Sequence, residues 1–154
     1  MSNAARSRSR SAARLAAVQA LYQQEMEATP LARLLKEFHD HRLGALIEDA
    51  QYIDAEREFF DDVVTGVAAR CAEIDATIAA RLADGWSLAR LDRPMRAILR
   101  AGAYELMARR DVPVGSVISE YVDVAHAFYD KRESGFVNGL LDAIAKEARA
   151  APAG

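Results

Sequence analysis

The sequence predicts an all-α protein, and three observations carry that reading. Alanine is abundant, while the 154 residues hold only 8 glycines and 4 prolines. No run of alternating β-branched residues occurs. Apolar residues recur instead at steps of three and four, the period of a helix buried along one side.

The first helix is expected over about residues 8–27, with Leu15, Val18, Tyr22 and Met26 as its apolar stripe. Thr29-Pro30 reads as a cap followed by proline in the first helical position. A short helix follows, with Leu31, Leu34, Leu35 and Phe38 on one side; His41 to Tyr52 is a weakly patterned connection. Asp54 suits the cap of the longest helix. There Phe60, Val64, Val67, Cys71, Ile74 and Ile78 form a seam at steps of 4, 3, 4, 3 and 4.

Asp84-Gly85 ends that helix. Trp86 and Ser87 open a short segment, with Ser87 as its cap. Asp92-Arg93-Pro94 starts a helix that runs through Arg109. Met95, Ile98, Leu99 and Leu106 form one stripe, Ala97, Ala101, Tyr104 and Ala108 a second, so this helix is central and joins two sub-bundles. Gly102 lies on the first stripe, where glycine costs about 1 kcal/mol relative to alanine and implies close approach of a neighbour. Val112-Pro113 breaks the helix. The next carries Ile118, Tyr121, Val122, Ala125 and Tyr129. A polar loop, Asp130 to Gly135, then leads to a last helix with Val137, Leu140, Leu141 and Ile144. The tail 150–154 is expected to fray.

Composition excludes several classes. One cysteine allows no intrachain disulfide and suits a reducing compartment. With three histidines besides, a structural zinc site is hard to build. No apolar run approaches the roughly 20 residues of a membrane span, and the arginine-bearing start lacks the apolar core of a secretory signal. The net charge of −3 hides an asymmetry. Residues 1–14 carry Arg6, Arg8, Arg10 and Arg14 and no acid, giving +4 and leaving about −7 on the remainder. A basic arm on an acidic body is a handle for phosphates.

Catalytic chemistry is unsupported. His39-Asp40-His41 is a weak chelating pattern, and a solvated helix end is the favoured reading. His126 sits beside an apolar face, and Cys71 lies on the seam, where cysteine acts as a small hydrophobe. Asp61-Asp62 with Glu56 and Glu58 reads as a charged helix face. No glycine-rich phosphate loop, nucleophile elbow or metal-spaced cluster occurs. The sequence therefore offers no catalytic, metal or cofactor site.

The arm offers binding instead. On a helix Arg6, Arg10 and Arg14 share one side, with Arg8 fanning out beside them. Guanidinium groups grip phosphates and stack on bases, and arginine-rich segments order on RNA. The other reading is a solvated tail, and Arg14, four residues before Val18, has a packing alternative. Tyr22 reads as core by spacing. Phe136 follows Lys131, Arg132 and Ser134 and precedes Asn138-Gly139. It is either a platform for an unpaired base or a hydrophobic staple at a helix start.

These residues also resemble a known family. Ala13-Arg14 leading to Gln19-Ala20-Leu21-Tyr22 looks like the opening helix of NusB, the bacterial transcription antitermination factor. Ile98-Leu99-Arg100 through Tyr104-Glu105-Leu106 to Asp111-Val112-Pro113 is similar to that family, and so is Phe136-Val137-Asn138-Gly139 with Leu141-Asp142. The resemblance implies two packed three-helix bundles with a basic N-terminal arm. It implies binding of single-stranded boxA-type RNA from ribosomal RNA leaders together with the ribosomal protein NusE, in the antitermination complex on RNA polymerase. By carry-over, Tyr22 and Phe136 fall on the RNA side with Arg6, Arg8, Arg10, Arg14, Lys131 and Arg132. Departures are serines within the arm, Ser119 in place of the family's asparagine, Arg132 at an acidic position, and Met95 where relatives place a glutamate facing NusE.

The expected organisation is an arm over 1–13, bundles over 14–83 and 84–149, and a tail over 150–154. The leading function is a non-enzymatic, cytoplasmic RNA-binding adaptor. One alternative is the NusB-like domain of a ribosomal RNA cytosine methyltransferase, which requires a following Rossmann-like domain. Another is a plain helical scaffold. Monomer and homodimer both stay open.

Overall fold

The computed structural model describes residues 3–43 and 50–150, and the side chains of 6–43 and 56–150. Every regular element among them is helical: α1 Asn3–Glu27, α2 Leu31–His41, α3 Ala50–Ala69, α4 Cys71–Ala79, α5 Arg93–Ala108, α6 Val114–His126 and α7 Lys131–Ala148, with a 3₁₀ turn at Leu88–Arg90. No helix among the described residues is long and apolar enough to cross a membrane. Two compact units divide the chain, residues 1–66 and 67–154. The division falls inside α3, ahead of the 83/84 boundary expected from the sequence.

In the first unit, α1 begins five residues earlier than its apolar pattern suggests, so the arginine-rich segment is itself helical from Asn3. The buried face also differs from the expected stripe. Ala13, Ala17, Val18, Ala20 and Leu21 are buried, while Leu15 and Met26 are 37% and 49% exposed. Small side chains let the neighbouring helix come close, and the bulkier residues are left outside. Phe38 of α2 stacks on Phe60 of α3 with centroids 5.4 Å apart. Beside them His39 Nε2 lies 2.5 Å from Asp61 Oδ1, so the His39-Asp40-His41 segment ties two helices. Gln23 Nε2 donates to Glu37 Oε2 at 3.3 Å, joining α1 to α2. Asp54 lies inside α3, which starts four residues before it. Within the weakly patterned connection, residues 44–49 lie outside the described residues, as do 151–154 of the expected fraying tail.

The long seam does not run through one helix. At Arg70 the backbone turns (φ −115°, ψ 23°) and separates α3 from α4. Cys71, expected in the core, is only half-buried, with its thiol 3.7 Å from Asp75 Oδ2. Opening α4 just after this break turns it partly outward, while Ile74 and Ile78 remain fully buried.

In the second unit, α4 is fastened to α5 by a two-pronged ion pair. Arg100 Nε and Nη2 donate to Asp75 Oδ1 and Oδ2 at 2.8 and 3.0 Å. The helix starts at Asp92-Arg93-Pro94 as expected, and Asp92 is its cap, the carboxylate accepting from Met95 N at 3.1 Å. The other end of α5 is capped from a distance. The Arg149 guanidinium donates to the carbonyls of Leu106, Val112, Glu105 and Arg109 at 2.6–3.1 Å. It thereby satisfies acceptors that a helix end leaves open. Burial lowers the Arg149 pKa from its ordinary value, yet four acceptors hold the charged donor in place.

Gly102 has the packing reason its position suggests. A Cβ there would sit 2.9 and 3.1 Å from the Leu141 methyls and 3.4 Å from Tyr121. Leu141 and Tyr121 are both fully buried and cannot yield freely. Gly102→Ala is therefore expected to lose about 1–3 kcal/mol to overpacking. That loss outweighs the ~1 kcal/mol of helix propensity alanine supplies. A lowered melting temperature checks it, and a rise would show that α7 can shift.

Candidate RNA interface

Of the eight residues expected to face RNA, five lie in the first unit and three in the second. On α1, Arg6 and Arg8 are exposed, and being two residues apart they leave the helix on different sides. Arg10 and Arg14 are held down. Their guanidinium carbons sit 5.1 and 4.9 Å from the centroid of the same Phe59 ring. Arg14 is 3% exposed and Ser9 1%, so the packing alternative weighed for Arg14 describes how it sits here. The helix thus anchors itself one and two turns in and presents Arg6 and Arg8 beyond the anchor. Tyr22, further along α1, is half-buried.

The segment expected to be a polar loop before Phe136 is helix. Asp130 occupies the cap position with extended backbone (φ −83°, ψ −178°), and Lys131 is the first residue of α7. Two local facts overrule the loop-like composition. Ser134 Oγ donates to Lys131 O at 2.9 Å, satisfying the residue that competes most with a helix backbone. Gly135 faces open space, where glycine costs only propensity. Arg132 and Phe136 then stand one turn apart on one side of α7. Lys131, Arg132 and Phe136 are all exposed, Phe136 by 39%. At that exposure, and six residues past the cap, its ring is not the staple that would sit buried at the fourth helical position.

Arg132 and Phe136 border an open cleft of about 660 Å³ within the second unit, whereas Lys131 lies off it. The cleft holds a residue the sequence reading did not single out for binding. Trp86, the only tryptophan, is 55% exposed. It follows Gly85, whose φ of +86° needs glycine at the turn. Arg90 lies 5.3 Å over the indole centroid while its Nη1 donates to Gly85 O at 2.6 Å. Arg96 donates to Leu91 O, fixing the loop from the α5 side. Tyr129 also lines the cleft, and its hydroxyl donates to the capping carboxylate of Asp92. Burial, then that hydrogen bond, pushes its phenol pKa up, so it stays a neutral donor. A lone tryptophan just after an Asp-Gly turn was the available signal.

Against known proteins, a family model described as the NusB family matches residues 11–146. The chain belongs to the NusB family. It is 72% identical over 144 residues to the transcription antitermination protein NusB of Sphingopyxis alaskensis, covering 94% of this chain and 97% of that one. NusB of T. maritima superposes with a TM-score of 0.73 at 32% identity, covering 90% and 91% of the two chains. A crystal structure of the antitermination factors NusB and NusE in complex with double-stranded RNA matches with a TM-score of 0.75 at 28% identity, covering 91% of this chain and 98% of that one. NusB proteins are antitermination factors that work by binding, not enzymes.

Proposed function

We propose that this NusB-family chain binds single-stranded boxA-type RNA together with NusE, and so tethers a ribosomal RNA leader to elongating polymerase in the cytoplasm. The observation that carries the reading is Phe136, a phenyl ring left 39% exposed one turn after Arg132 at the start of α7. An exposed ring beside a cation suits an unpaired base with its phosphate. Arg6 and Arg8 supply the first phosphate contacts from α1. Arg10 and Arg14 fix that end of the helix and add their charge, and Tyr22 and Lys131 complete the set. The solved relative that holds NusE and RNA at once supports joint binding here.

Each contact made on a shared assembly raises the effective concentration of the other. NusE at saturation is therefore expected to tighten a boxA-like strand by about 1–3 kcal/mol. Titrating that strand and a scrambled one, with and without NusE, is the test. Unchanged affinity on adding NusE removes the coupling, and no preference over the scrambled strand removes the boxA assignment.

A further inference from the structure

Phe59 lies in α3, within the same compact unit as α1, and is 4% exposed. Its neighbour Phe60 stacks on Phe38 in the core. Phe59 instead receives two cations from α1, the guanidinium carbons of Arg10 and Arg14 lying 5.1 and 4.9 Å from its ring centroid. Two successive turns of α1 are therefore seated on one ring, with Ser9 and Arg14 buried beside it and Arg6 and Arg8 exposed beyond it.

The local sequence holds this end of α1 weakly. No acidic side chain stands in the first turn to balance the positive end of the helix dipole, where the arginines gather. Arg6, Arg10 and Arg14 follow one another at steps of four, where like charges on a helix repel. Ser7, Ser9 and Ser11 offer the backbone competing hydrogen bonds. A helix end of this composition, left to itself, frays. A frayed arm carries the same charge as an ordered one, and the number of phosphates it neutralises sets the same salt slope. It differs in cost, because each arginine must be ordered as it meets its phosphate, and affinity falls accordingly.

We propose that Phe59 is a positioning residue for RNA binding: by seating Arg10 and Arg14 it keeps the end of α1 helical and sets Arg6 and Arg8 on a fixed frame before the strand arrives. The proposal rests on the RNA-binding reading above and adds to it the residue that pre-organises the arm.

Phe59→Leu keeps an apolar side chain in the site and removes the ring face. The full chain and this variant are titrated with a boxA-like strand over a range of salt concentrations, and backbone amide exchange is followed in both. The variant is expected to bind about five- to tenfold more weakly at each salt concentration, with a log–log slope within about 0.3 of the parent's. Amides of residues 6–12 should exchange faster while those of α5 keep their protection. In a chain already carrying Arg6→Ala and Arg8→Ala, Phe59→Leu should change affinity by less than about twofold, because the side chains it positions are gone. Equal weakening in both backgrounds is the mark of a general structural loss and overturns the proposal. Should Phe59→Leu fail to fold, Arg10→Lys carries the same test from the side of α1. It keeps the charge, gives up the planar group over the ring, and should weaken binding about two- to threefold at an unchanged slope. Parent affinity in these variants overturns the role of Phe59 while leaving RNA binding intact. Tighter binding shows that the ring withholds Arg10 and Arg14 from the strand, and a shallower slope shows that phosphate contacts are lost outright; either overturns positioning. A parent chain that binds no strand overturns the RNA-binding reading itself.

Discussion

Glu105→Ala is expected to cost about 3 kcal/mol or more of stability. Glu105 is fully buried in α5, and its Oε2 accepts from the hydroxyl of Tyr121, itself fully buried in α6. Alanine removes the carboxylate that accepts from the Tyr121 hydroxyl, in a site where water cannot reach. It also opens a void, because the Glu105 side chain is fully buried. Both effects fall on the helix around which α4, α6 and α7 pack. For a chain of this size the loss corresponds to a fall of roughly 6–12 °C in Tm. Glu105→Gln keeps an oxygen acceptor and should lose only about 1 kcal/mol. Calorimetric melts of the two variants check this. Equal losses would show that the carboxylate charge, rather than the hydrogen bond to Tyr121, is what the core requires.

Phe136→Ala should act in the opposite way, on binding and not on stability. A base stacked on an aromatic ring contributes about 1–3 kcal/mol, so RNA affinity should fall by roughly 5- to 150-fold. The ring is 39% exposed, so its removal leaves little void and the melting temperature should hardly move. Phe136→Tyr keeps the π-face and places a hydroxyl where water can reach it; it should bind nearly as well as phenylalanine. A Phe136→Ala variant that melts several degrees lower yet binds RNA normally would return the residue to the core.

The parts of the fold written in local chemistry were legible. Asp92 followed by Pro94 is a helix start by capping and by proline's fixed φ, and the carboxylate bonds Met95 N accordingly. Gly102 on an apolar stripe signalled close approach, and Leu141 supplies it. The break at Arg70 was not legible. The apolar steps continue across it, and a single turned residue needs neither glycine nor proline. The start of α7 was misread for the converse reason, since Ser134 and Gly135 carry loop composition while Ser134 satisfies itself within the helix. The basic N-terminus was read correctly as charge. Its division into a held pair and an exposed pair depends on Phe59, a long-range partner that no spacing along α1 reveals. Trp86 was visible as a residue, but its place on the same cleft as Phe136 depends on the turn at Gly85 and on packing remote in sequence.

We infer that α1 holds RNA through its arginines, with Arg6 and Arg8 as the outer phosphate contacts. The salt dependence of affinity for a boxA-like strand tests it most directly, for the chain and for the Arg6→Ala, Arg8→Ala double variant. With Arg6 and Arg8 of α1 and Lys131 and Arg132 of α7 on phosphates, the log–log slope for a single strand should be roughly −3. Losing two contacts should make it shallower by about 1.4 and weaken binding at every salt concentration, with melting temperature unchanged. A double variant with the parent's slope and affinity would contradict the account.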